Sequence, residues 1–140
     1  MTKNNIEEPI CKECNLVFKT IFKKVSPEQL NCVFNNKSCK TYKKGEVIYE
    51  EGNRINGIYC MHKGIVKIYK TGIEGKEQII KFAKEGDVFG YRSVINQEPA
   101  CTTAKVIEET TLCFLPTKDI YKLLTENSDF GIEMLEIACR

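Results

Sequence analysis

The chain has 140 residues, 42% of them hydrophobic and 29% charged, with a formal net charge of +2. That is enough for one domain with a real core, and the interleaving of Lys with Glu and Asp predicts a solvated mixed surface rather than a nucleic-acid footprint. No run approaches the roughly 18 apolar residues that a membrane span needs, and "MTKNNIEEPI" has no apolar h-region, so neither a membrane contact nor a secretory signal is expected.

Residues 1–25 read as an N-terminal arm with a Cys-x-x-Cys pair, Cys11 and Cys14. Val17, Phe18, Ile21, Phe22 and Val25 then follow the spacing of a short amphipathic helix. In "SPEQLNCVFNN", Ser26 is suited to an N-cap, Pro27 to N1 and Gln29 to N3, together a capping box. Leu30, Val33 and Phe34 form the buried face of the helix it starts.

From residue 37 to 116 the pattern changes to short strands cut by glycines: "EVIYEEG", "GIYCMHKG", "IVKIYKTGIEG", "EQIIKFAKEG" and "DVFG". Gly45, Gly52, Gly64, Gly75, Gly86 and Gly90 mark the expected turns, since positive φ costs glycine little. After a less regular "YRSVINQEPAC" come two more strands, "TTAKVIE" and "TTLCFLP". Evenly spaced short strands predict a small antiparallel barrel or sandwich. Thr117 is expected to cap a helix with Ile120, Leu123 and Leu124 inward. Ser128 is expected to cap another, with Phe130, Met134, Ile137 and Ala138 on one stripe and Ile132 and Leu135 flanking it. No Gly or Pro stops that pattern, which leads us to expect a piece of a longer chain. The expected organisation is an arm over 1–25, a β domain over 26–127 and the start of a long helix over 128–140.

The order of helix, glycine-punctuated strands and two exit helices carries a resemblance. "KKGEVIYEEG", "IYCMHKGIVKIY" and "EGDVFG" resemble, in glycine placement and apolar positions, the cyclic-nucleotide-binding domain of the CRP/FNR transcription regulators. The resemblance implies a mainly β fold with flanking helices: a double-stranded β-helix, or jelly-roll β-roll, followed by the start of a dimerisation helix. It also implies a cytoplasmic sensor that forms a homodimer through the C-terminal helix of the full-length protein. DNA would be read only by a C-terminal helix-turn-helix that these residues do not include.

Relatives that bind cyclic AMP carry a Gly-Glu-Leu, Arg-Ser/Thr-Ala cassette, whose Glu accepts from the ribose and whose Arg neutralises the phosphate. Here Gly90 is kept, Tyr91 stands at the Glu position, and Ala100 or Cys101 stands at the Arg position. Cyclic nucleotide binding is therefore not expected. The ligand-pocket candidates are Gly90, Tyr91, Arg92, Ser93, Cys101, Thr102 and Thr103, with Arg92 able to supply charge from the other side and a different small acidic effector left open.

Members resembling FNR hold a four-iron four-sulfur cluster on three close N-terminal cysteines and one distant cysteine. Cys11, Cys14 and Cys113, just before "LP", match three of these positions. The remaining ligand is missing, because "NLVFKTIFKK" has no cysteine, and a cluster needs four thiolates or a substitute. Cys32 and Cys39 lie too far along to be simple replacements, and whether either moves in stays open. The one histidine, His62, reads as a turn neighbour at a strand end. Neither a zinc knuckle nor haem ligands are evident, and Cys60, Cys101 and Cys139 read as small apolar residues. A disulfide scaffold is not expected in a reducing compartment, so the cofactor remains unknown.

With no nucleophile–base pair, an enzyme is not expected. The reading is the effector-sensing domain of a CRP/FNR-type bacterial regulator that does not respond to cyclic AMP. The alternative is a stand-alone ligand-binding or redox- and metal-sensing module acting on another protein.

Overall fold

Two long strands carry the sheet where four short ones were expected. A computed structural model describes Val25, Ser26, Glu28, Gln29 and residues 38–138, with the side chains of residues 137 and 138 left aside. Strand β1 is Ser38–Tyr42, β2 Val47–Tyr49, β3 Gly57–Thr71, β4 Glu77–Ala83, β5 Val88–Phe89 and β6 Thr103–Pro116. They form one antiparallel sheet in the order β1-β6-β3-β4, with β2 also on β6 and β5 also on β3. The helices are α1 (Tyr91–Asn96), α2 (Thr117–Glu126) and α3 (Ser128–Ala138).

Gly64 explains why the strand count was overestimated. It lies inside β3 rather than at a turn, with φ +102° and a register shift against β6 around it. A Cβ there would sit 2.5 Å from Thr110 Cα, so only glycine admits this backbone approach. β3 bends at that point and continues, and β6 runs unbroken opposite it. His62 therefore lies within β3, half-buried, and not at a strand end. The stretch read as irregular, 91–101, contains the six-residue α1.

Strand periodicity places alternate residues of β3 and β6 in two cores. One lies between sheet and helices: Ile58, Val88, Val94, Leu115, Ile120, Leu123, Phe130 and Met134 are all buried there. The other lies on the cleft side of the sheet, around Tyr49, Met61, Val66, Ile68, Phe89 and Leu112. Phe130 and Met134 hold the buried stripe of α3, while Ile132 and Leu135 remain exposed at 52% and 60%.

Two helix caps differ from expectation. Thr117 is the first residue of α2 and Pro116 takes the N-cap position, with its fixed φ of −62° and no side-chain bond. At α3 the Asn127 carboxamide, not Ser128, accepts from the Phe130 N–H at 3.1 Å. The capping box at Ser26 does form: the Gln29 N–H donates to Ser26 Oγ at 3.3 Å, and the Ser26 N–H to Gln29 Oε1 at 3.4 Å. Gln29 Oε1 also accepts from Asn127 Nδ2 at 3.0 Å, tying the Ser26–Gln29 capping box to the α2–α3 junction.

Candidate functional site

The cleft is built where β5 ends and α1 begins. Gly90 has φ +87°, which turns the chain from β5 into α1. A Cβ at this position would come within 3.2 Å of the Tyr59 ring. The opposite wall is the 100–102 segment, held by two backbone bonds: Gly52 N–H to Ala100 O and Ala100 N–H to Asn53 O, both 2.8 Å. β3 and β4 close the third side. The Tyr121 hydroxyl, donating to Val94 O, anchors α1 to α2 from behind.

The enclosed space is roughly 310 Å³. Six of the seven sequence candidates line it: Gly90, Tyr91, Arg92, Ser93, Cys101 and Thr102. Thr103 does not; it is buried in β6, and its Oγ1 accepts from the Glu51 N–H at 3.0 Å. The floor is apolar, from Ile55, Ile68, Ile80, Phe89 and Ala100. Lys70 of β3 and Lys81 of β4 join Arg92 on the wall, and no Asp or Glu is among the lining residues. Both lysines come from strands far from α1 in sequence, so nothing local announced them. Cys101, read as an apolar strand residue, is exposed at the mouth because β6 starts only at Thr103.

Tyrosines set the polarity beside this floor. The Tyr49 hydroxyl bonds the Thr102 side chain, and burial pushes its phenol well above the ordinary value, the Thr102 bond partly opposing this. Burial also pushes Tyr59 up to about 12, with Tyr42 nearby adding to the rise. Tyr59 stacks on Phe89 at 5.2 Å and meets Phe114 at 5.1 Å, so the rings form one continuous wall.

The carboxylate that accepts from the ribose 2′-OH in cyclic-AMP-binding relatives has no counterpart among the lining residues. Tyr91 at that position offers a neutral phenol, a weaker acceptor than a carboxylate. Lys70, Lys81 and Arg92 put positive charge on the wall of the cleft.

The cysteines gather elsewhere. Cys11, Cys14, Cys32 and Cys139 lie outside the described residues. Cys39 on β1, Cys113 on β6 and Cys60 on β3 stand opposite one another in register across three adjacent strands. The Cys39 and Cys113 sulfurs are 2.9 Å apart. One rung along, Thr41 Oγ1 and Thr111 Oγ1 are 3.0 Å apart. Sequence separation had argued against Cys39, yet pairing of β1 with β6 brings it against Cys113. Among the described residues no group of three His, Cys, Asp or Glu could hold a metal ion, His62 included. An iron–sulfur cluster takes one thiolate per iron from each of its cysteines. Of the three candidate ligands only Cys113 lies among the described residues, where it stands against Cys39 and Cys60.

Comparison with known proteins bears on the whole arrangement. The family model for the cyclic nucleotide-binding domain matches residues 39–127. An anaerobic regulatory protein of Pasteurella multocida is 27% identical over 110 residues, 76% of this chain and 39% of that protein. The chain thus spans about two-fifths of that regulator's length. An uncharacterized protein of Haemophilus influenzae is 24% identical over 111 residues, 79% of this chain and 84% of that protein. Among solved structures, the sensor domain of the transcriptional regulator DNR from Pseudomonas aeruginosa superposes with a TM-score of 0.81 at 22% identity, over 89% of this chain and 84% of that one. The strands, their turns and the flanking helices are thus those of the β-roll, and the chain belongs to the cyclic nucleotide-binding domain family.

Proposed function

We propose that this chain is the effector-sensing part of a CRP/FNR-type regulator whose signal is a small anion other than a cyclic nucleotide. The observation that carries this reading is the cleft wall: Lys70, Lys81 and Arg92 over an apolar floor, with no carboxylate among the lining residues. An anion with an apolar body would place charge on the cations and bury the rest against Ile68, Ile80 and Phe89. The protein acts as a sensor and not as a catalyst. It works in the cytoplasm as a homodimer through α3, whose exposed Ile132 and Leu135 supply an apolar strip. DNA contact belongs to a helix-turn-helix outside these residues, and ligand binding shifts two pre-existing states of the dimer.

Calorimetry tests the ligand. Cyclic AMP and cyclic GMP should give no saturable heat, whereas phenyl phosphate, an anion with an aromatic body, should bind and lose affinity about tenfold in Arg92→Gln. Micromolar binding of cyclic AMP would overturn the reading. A second reading, a stand-alone module that regulates another protein, is favoured by the Haemophilus relative, most of whose length this chain covers. The gene sequence past codon 140 separates the two: a helix-turn-helix there supports the regulator, and a stop codon supports the module.

A further inference from the structure

The Cys39–Cys113 pair has the geometry of a disulfide waiting to form. The two residues are direct cross-strand partners on β1 and β6, and antiparallel partners hold their Cα atoms about 4.5–5.5 Å apart, within the range a disulfide spans. Both are thiols here, with sulfurs 2.9 Å apart. A disulfide needs about 2.05 Å, so closing the bond requires a shift of less than about 1 Å and no change of register. The Thr41–Thr111 bond on the same face fixes that register from the next rung. Accessibility is unequal in a useful way: Cys39 is partly exposed, whereas Cys113 is 5% exposed.

We propose that Cys39 and Cys113 form a reversible thiol–disulfide site that responds to low-molecular-weight disulfides. The Cys39 thiol gives up its proton and the thiolate attacks one sulfur of RSSR, forming a mixed disulfide and expelling one RS⁻. Cys113 then loses its proton and attacks the Cys39 sulfur, forming the Cys39–Cys113 bond and expelling the second RS⁻. The protein is oxidised by two electrons, RSSR is reduced to two RSH, and the two released protons end on the two leaving thiolates. The new bond ties β1 to β6 three residues before β6 gives way to α2. Redox state is thereby written into the strand that leads to the exit helices. Among the described residues, Cys60, facing Cys113 from β3, is a built-in competitor. The site is separate from the anion cleft, so either assignment can fail without the other.

The test uses the reduced 140-residue chain, titrated anaerobically with glutathione disulfide, trapped with an alkylating agent and digested without reduction. The expected product is a peptide pair joining Cys39 to Cys113, formed equally in Cys60→Ser and absent in both Cys39→Ser and Cys113→Ala. Because the linked residues lie 74 positions apart, oxidation should also raise the Tm by on the order of 10 °C. A substituted chain that unfolds is excluded by circular dichroism, and the unsubstituted chain alone still decides through the peptide map. Recovery of Cys39 and Cys113 fully alkylated, or linkage of Cys113 to Cys60 instead, would overturn the proposal.

Discussion

The two cores of this molecule obey different chemistry. Between sheet and helices, the buried hydrophobic side chains are aliphatic apart from Phe130, with Tyr91 and Tyr121 packed at their edge. On the cleft side, Tyr49, Tyr59 and Phe89 join the aliphatic groups, and their rings stop short of filling the space. A side chain such as Leu packs in every direction, whereas a tyrosine packs with its faces and must send its hydroxyl to a partner. The aliphatic core therefore seals, and the aromatic core leaves a lined cleft next to it. Stability should reside mainly in the first and ligand response in the second.

Substitutions can break that division. The largest effect is expected at Phe130, fully buried against α2 and the sheet: Phe130→Ala should lose about 3–5 kcal/mol in urea unfolding. If the division holds, the destabilised protein still binds cleft ligands while folded. A loss of cleft affinity larger than twofold under folding conditions would show that the cores are coupled. Next comes Gly64, in the backbone joint that serves both cores. Gly64→Ala combines φ +102° with the close approach of Thr110, and should cost about 2–4 kcal/mol. Gly52→Ala is the matched control: φ is +93° but nothing lies within 4 Å of the added Cβ, so the cost should stay near 1 kcal/mol. Equal losses at the two glycines would remove the packing explanation and leave only φ.

How legible was this in the sequence? Features set by local physics were readable. Ser26 and Gln29 form the capping box that their spacing announced, and the Phe130–Met134 stripe is buried as helical periodicity required. Gly64 was read correctly as a positive-φ position but wrongly as a turn, because φ alone does not distinguish a reversal from a bend in a continuing strand. Strand β1 was missed since "SCKTY" is short and only half-buried. Lys70 and Lys81 of the cleft were also missed, because β4 pairs with β3 through contacts that no short window contains. One weak signal did exist for the thiol pair. "CKT" at 39–41 and "TLC" at 111–113 are mirror patterns, as antiparallel partners with like residues on one face must be.

The aromatic core also predicts a pH response that the aliphatic core cannot produce. Tyr59 ionises at about 12 when folded, against an ordinary value of 10.0, chiefly because burial disfavours the phenolate. As pH rises past about 10, the unfolded chain loses this proton before the folded chain does. The unfolded state then binds fewer protons, so unfolding free energy falls with rising pH and levels off for this group near 12. Tyr49 shifts in the same direction and extends the fall. Urea midpoints should decline across that window, and Tyr59→Phe should make the decline shallower. An unchanged slope in the variant would mean that Tyr59 is not buried as described.

The smallest effect is expected outside both cores, where β3 and β4 carry the ion pair Lys67–Glu77 at 2.7 Å. Glu77 is 44% exposed, so water and salt screen the pair and holding two long side chains in place costs entropy. Glu77→Gln should lose about 0.5 kcal/mol or less at low salt, and almost nothing at 1 M salt, where the Debye length falls to about 3 Å. Lys67 also lies 4.8 Å over the Tyr69 ring, a contact that the substitution leaves in place. A loss above about 1 kcal/mol that persists in high salt would mean that Glu77 contributes by packing the β3–β4 hairpin, and the border between structural core and sensing surface would have to be redrawn to include this strand pair.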